Sequence, residues 1–158
     1  MRVEFSLENL NFPESMHDFR VNKIELEENQ LVFTYDQVHF SKDDYPEGSE
    51  YYEMHKDYKA CRVIFESGHD SWVDVKDSTV EIRSRKGNKV TAQIYDIDKF
   101  IPYLTECGLV VETLYFFVGN QTVIIEGQLW NENDKAYDRF CRIEVSAETI
   151  IYDWCEDL

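Results

Sequence analysis

Over most of its length the chain alternates apolar and polar residues with a period of two, the spacing that puts successive side chains on opposite faces of a β-strand. The clearest case is Val110 to Trp130. Two β-branched and aromatic runs flank Gly119-Asn120 there and read as a hairpin with those two residues at its tip. Pairing outward from the loop sets Val118 opposite Gln121, Phe116 opposite Val123, Leu114 opposite Ile125 and Val110 opposite Leu129, an apolar face suited to the floor of a core. The other face pairs Phe117 with Thr122, Tyr115 with Ile124, Thr113 with Glu126 and Val111 with Gln128, and is half wet. A one-residue slip exchanges the two faces, so burial of the first should fix the register.

The same alternation marks the rest of the chain. Val3, Phe5 and Leu7 share one side of a first strand. From Phe19 to Leu26 the apolar set changes sides, which predicts a bulge near Asn22-Lys23. Leu31, Phe33 and Tyr35 begin the returning strand, which runs to about Phe40. Tyr58 to Glu66 has few charges and reads as a central strand, followed by a short strand at Trp72 to Val75. Val80–Ser84 and Val90–Ile94 form another hairpin. A loop of about five residues, Arg85 to Lys89, sets Ile82 against Ala92 and is preferred to a tighter Gly87-Asn88 loop. Asp98 resembles a helix cap, with Lys99 to Cys107 as the helix, Pro102 in its first turn and Gly108 as its stop. Tyr137–Val145 and Thr149–Trp154 complete the set, with Arg139, Cys141, Ile143 and Val145 on one face. The fold class is mainly β, with α+β as the neighbouring class. About ten mostly antiparallel strands form a curled sheet, a barrel or a two-layer sandwich, with one short helix near 98–107.

With 158 residues, the chain is long enough to bury roughly 70% of its unfolded surface, and residues 1–158 read as one domain. Aromatics reach 15%, a content that sheets accommodate well. Charge alters the functional picture more than size does. There are 32 acidic residues against 16 Lys and Arg, for a net charge of −16. Such a surface repels phosphate and anionic lipid, which argues against nucleic-acid or membrane-surface binding, and it favours a basic protein partner. The opening residues carry no apolar run of signal-peptide length, and no stretch matches a membrane helix. Cys61, Cys107, Cys141 and Cys155 lie far apart and read as reduced thiols of a cytoplasmic protein.

Catalytic and metal signals are weak. Neighbouring residues on a strand face opposite ways, so neither His17-Asp18 nor His69-Asp70 makes a dyad by itself. Cys61 can meet an imidazole only through the fold, and buried structural cysteine is commoner. No ligand spacing of a zinc or calcium site occurs, and neither a phosphate loop nor a serine elbow is present. The expectation is a protein without catalytic activity, metal or cofactor. Arg83, Arg85, Lys86 and Lys89 form a basic tip that serves self-association or, the favoured reading, keeps a hairpin loop soluble.

The break in the strand pattern between Ser41 and Asp57 is the candidate site. Acids and tyrosines interleave in it, with a helical turn around Glu50 to His55. Tyrosine supplies contact area at little entropic cost, and carboxylates beside it pair with Lys or Arg of a partner. The partner-binding residues are therefore placed at Asp43, Asp44, Tyr45, Glu47, Glu50, Tyr51, Tyr52 and Glu53. The run Met16-His17-Asp18-Phe19-Arg20-Val21, followed by Ile24 and Leu31-Val32-Phe33, resembles the opening of many small bacterial proteins. Some of those are immunity-type proteins of polymorphic toxin systems. The resemblance covers about 20 residues and implies a bacterial inhibitor that covers a basic toxin or nuclease. The alternatives are a small-molecule-binding β-barrel and a purely structural role.

Overall fold

The computed structural model describes residues 1–7, 16–40, 49–69, 71–131 and 139–156. In these the chain forms eleven strands in two antiparallel sheets. The five-stranded sheet is built from β1 (Arg2–Ser6), β11 (Thr149–Cys155), β5 (Ala60–Glu66), β4 (Gln30–Tyr35) and β3 (Lys23–Leu26), in that spatial order. The six-stranded sheet contains β2 (Arg20–Val21), β8 (Val110–Gly119), β9 (Thr122–Trp130), β10 (Arg139–Ser146), β6 (Thr79–Lys86) and β7 (Lys89–Asp96). The mainly antiparallel β class expected from the alternation is therefore the one observed. The sheets are not closed into a barrel.

One apolar cluster joins the inner faces of the two layers. Leu31, Phe33, Tyr35, Cys61, Val63, Phe65, Ile150 and Tyr152 come from one sheet, and Val80, Val111, Val123, Ile125, Cys141 and Ile143 from the other. The predicted shift near Asn22 is a change of sheet. β2 pairs with β8, β3 pairs with β4, and the Asn22 amide bonds the Thr34 carbonyl at the crossing. β5 lies in the middle of its sheet, as its few charges predict.

Two helices complete the described structure, α1 (Glu50–His55) and α2 (Ile97–Glu106), with a 3₁₀ turn at Val75–Asp77. The short strand expected at Trp72–Val75 is thus a bend leading into that turn, and Trp72 is 82% exposed. α2 begins one residue after Asp96 rather than after Asp98, because the Ile97 amide is taken up by the Ser78 carbonyl. Pro102 consequently lies beyond the first turn, and with no N–H it cannot supply the i+4 bond to the Asp98 carbonyl. Gly108 ends the helix at φ 57°, as expected. Ile97, Phe100 and Leu104 are its buried stripe. Among the described residues no helix is long and apolar enough to cross a membrane.

Both hairpin registers differ from the sequence reading. In β6–β7 the tight Gly87-Asn88 loop forms, with Gly87 at φ 60°, and Ile82 faces Gln93 instead of Ala92. A five-residue loop pairs apolar with apolar, but β7 is an edge strand and its side chains need no burial. In β8–β9 the tip is Asn120-Gln121, so Val118 faces Val123 and Phe116 faces Ile125. The register then shifts between Thr113 and Tyr115, and Val111, not Val110, faces Leu129. The expected core floor holds on β9 and near the tip of β8. Below the shift it is inverted, with Val111 and Thr113 buried.

Candidate functional site

The register shift in β8 decides which side chains reach solvent on the six-stranded sheet. Val111 and Thr113 point into the core. A regular strand would send Tyr115 and Phe117 the same way, but the extra residue at Leu114 turns both outward. Gly127 on β9 makes room for this bulge. A Cβ at that position would lie 2.3 Å from the Glu112 carbonyl oxygen. Tyr115 and Phe117 are 51% and 52% exposed, and their rings stack at 5.9 Å with planes 17° apart. Ile124 lies directly across from Phe117, and the His17 ring meets Tyr115 edge-on at 6.3 Å.

Charges frame this aromatic surface. Along the next row of the sheet, Tyr115, Glu126, Arg142 and Glu81 follow one another across four strands. Arg142 lies 3.6 Å from Glu126 and 3.8 Å from Glu144. Beyond Phe117 and Ile124, a cleft of about 310 Å³ is lined by Trp72, Asp74, Asp77, Asn120, Gln121, Thr122 and Ser146. The exposed Trp72 indole therefore borders the end of the sheet face that carries Phe117. The arrangement presents flat rings within an acidic frame. It holds no nucleophile with an activating base, and no group of three potential metal ligands occurs among the described residues.

His17 and Asp18 correct one expectation. Asp18 has φ 65°, outside the strand region, and its carboxylate lies 2.7 Å from His17 Nδ1. The two side chains therefore meet, because the doublet sits in a turn rather than on a strand. Both are more than half exposed. The rest of the resembling run is accounted for by packing, since Met16, Val21, Ile24, Leu31, Val32 and Phe33 are buried.

Of the acid and tyrosine segment, Asp43, Asp44, Tyr45 and Glu47 lie outside the described residues. Ser49 caps α1 by accepting from the Tyr52 amide. Glu50 and Glu53 are exposed, and Glu53 pairs with Lys56. Tyr51 and Tyr52 are half-buried against the core. Tyr51 stacks on the buried His55 at 4.2 Å, and its carbonyl lies 2.8 Å from His55 Nδ1. α1 thus anchors one end of the layers through an aromatic cluster that includes Phe40, Tyr58 and Trp154. The alternation puts Tyr115 and Phe117 on the wet face but does not single them out as a site; two aromatics two residues apart on such a face are the signal that could find them.

The thiols are separated by environment. Cys61 and Cys141 are buried and Cys107 is exposed. Burial pushes the Cys141 thiol up to about 12, partly offset by its hydrogen bond to the Gly127 backbone. A separate cleft of about 500 Å³ brings Cys107 near Arg20, Gln37, Thr105 and Trp130, with the Arg20 guanidinium 4.1 Å above the Trp130 ring.

These features define an antiparallel two-sheet protein with an exposed aromatic face in an acidic frame. No protein-family model matches the chain, and neither a curated protein nor a solved structure is similar to it.

Proposed function

We propose that this is a non-enzymatic protein-binding domain that covers a basic partner, in the manner of an inhibitor or immunity protein against a basic toxin or nuclease. The observation that carries the reading is the stacked, half-exposed Tyr115–Phe117 pair on the outer sheet face, beside the charged row of Glu126, Arg142 and Glu81. Large rings held rigidly at a surface are the usual anchors of an interface, because they bury much area at little entropic cost. Trp72 and Ile124 extend that surface. Asp74, Asp77, Glu126 and Glu144 supply the negative rim, and Glu50 and Glu53 remain candidate contacts on α1. The excess of 16 negative charges selects a basic partner and speeds the encounter. Inhibition would follow from occlusion, the rings sitting over the partner's active site while the carboxylates pair with its Lys and Arg.

The test is retention on immobilised protein at low salt, followed by elution with rising salt. A basic protein should be retained, and its enzymatic activity should fall to background when the protein is added in equimolar amount. The Tyr115→Ala/Phe117→Ala variant should bind at least about tenfold more weakly while unfolding at the same urea concentration as the wild type. Equal binding by the variant would remove the site from the reading. A retained partner whose activity is unaffected would remove the inhibitor role.

A further inference from the structure

Among the described residues, β7 is the last strand of the six-stranded sheet and is bonded on one side only, to β6. Its residues from Lys89 to Ile94 are all exposed, Val90 to 63% and Ile94 to 72%. Between Lys89 and Asp96 it carries no charge and no proline, and its pairing with β6 runs without a register shift. It therefore lacks the devices that usually stop a sheet edge from pairing.

The groups offered at that edge follow from the hairpin. The Gly87-Asn88 loop closes the Lys86–Lys89 pair, so Lys89, Thr91, Gln93 and Tyr95 direct their backbone bonds to β6. The amides and carbonyls of Val90, Ala92 and Ile94 then point away from the sheet. These same three residues share its outer face, opposite Arg85, Arg83 and Glu81 respectively.

We propose that β7 pairs antiparallel with β7 of a second copy of this chain, about a two-fold axis at Ala92, making one continuous twelve-stranded sheet. This register sets Ala92 against its own mate and Val90 of each copy against Ile94 of the other. The outward backbone groups are satisfied and the outer face gains an unbroken apolar strip. Moving the axis to Gln93 would set Val90 against Asp96 instead. Charge argues for a second copy as the occupant. The antiparallel direction lays the basic tip of one copy, Arg85, Lys86 and Lys89, along the acidic end of the other strand, Asp98 and the Lys99-paired Asp96, and does so twice. An axis normal to the sheet also keeps both Tyr115–Phe117 surfaces on the same side of the dimer. The basic tip thus takes the self-association role rather than the solubility role.

Sedimentation equilibrium of the full chain over the micromolar range tests this, because one strand pair lies at the small end of specific interfaces. Wild-type protein should reach twice the chain mass as concentration rises. The Val90→Lys/Ile94→Lys variant alters two exposed side chains, so it should keep the wild-type circular dichroism and melt while remaining at monomer mass. In a Cys107→Ser background, Ala92→Cys should form an intermolecular disulfide, since a bonded antiparallel pair holds its Cα atoms about 5.5 Å apart. Thr91→Cys, which would face the partner's Gln93, should cross-link far more slowly. Wild type at monomer mass throughout, a dimeric lysine variant, or equal cross-linking at the two positions would each overturn the proposal.

Discussion

At the scale of single residues, the inner faces keep a few ionisable groups neutral, and this sets a limit on stability in alkali. Cys141 holds its proton to about 12 in the folded chain against an ordinary value of 9.0. Burial raises the Tyr35 phenol as well, with the Thr113 hydroxyl as the group that approaches it across the core. Above pH 9 the unfolded chain loses the Cys141 proton while the folded chain keeps it. The folded state then binds more protons, and stability falls as pH rises. Urea midpoints should therefore decline between pH 9 and 12, and Cys141→Ala should flatten the first part of that decline. A thiol reagent should label Cys107 readily in native protein, but Cys61 and Cys141 only after unfolding.

Among the elements, β8 matters most for the site, since its bulge turns Tyr115 and Phe117 to solvent. Gly127 is what permits it. Gly127→Ala should cost about 2–3 kcal/mol, because the new Cβ meets the Glu112 carbonyl, a backbone atom that cannot swing aside. The loss would appear as a lower urea midpoint. Partner binding should fall with it to the extent that the bulge straightens. This is also where sequence reading reached its limit. Alternation placed Val123, Ile125 and Leu129 inward and Phe117 and Tyr115 outward, but it could not count the extra residue at Leu114. A period of two says which residues share a face only until a bulge changes the phase. Similarly, the shift at Asn22 was legible as a break in phase, whereas its meaning, a strand passing from one sheet to the other, was not.

For the molecule as a whole, charge is the property that reaches beyond contact distance. If the Tyr115–Phe117 face docks a basic partner, the association rate should drop about tenfold from low to physiological salt, while the dissociation rate changes little. Stopped-flow mixing at several salt concentrations measures both. A salt-independent rate would mean that the excess of acids serves solubility alone.

By itself the sequence determined the strand content, the inward side of most strands, the central place of β5 and the acidic surface. Each of these follows from local composition or from a pattern repeated within a few residues. The tertiary structure decided which strands share a sheet, the two hairpin registers and the strand left at the edge. Those depend on neighbours distant in sequence, such as Glu112 against Gly127 or β2 against β8. The candidate site followed the same division. Acidic, tyrosine-rich character was readable along Asp43 to Glu53, but a sheet face assembled from β8, β9, β10 and the bend at Trp72 has no contiguous trace in the chain. Only the packing of two layers left the Tyr115–Phe117 pair outside the core.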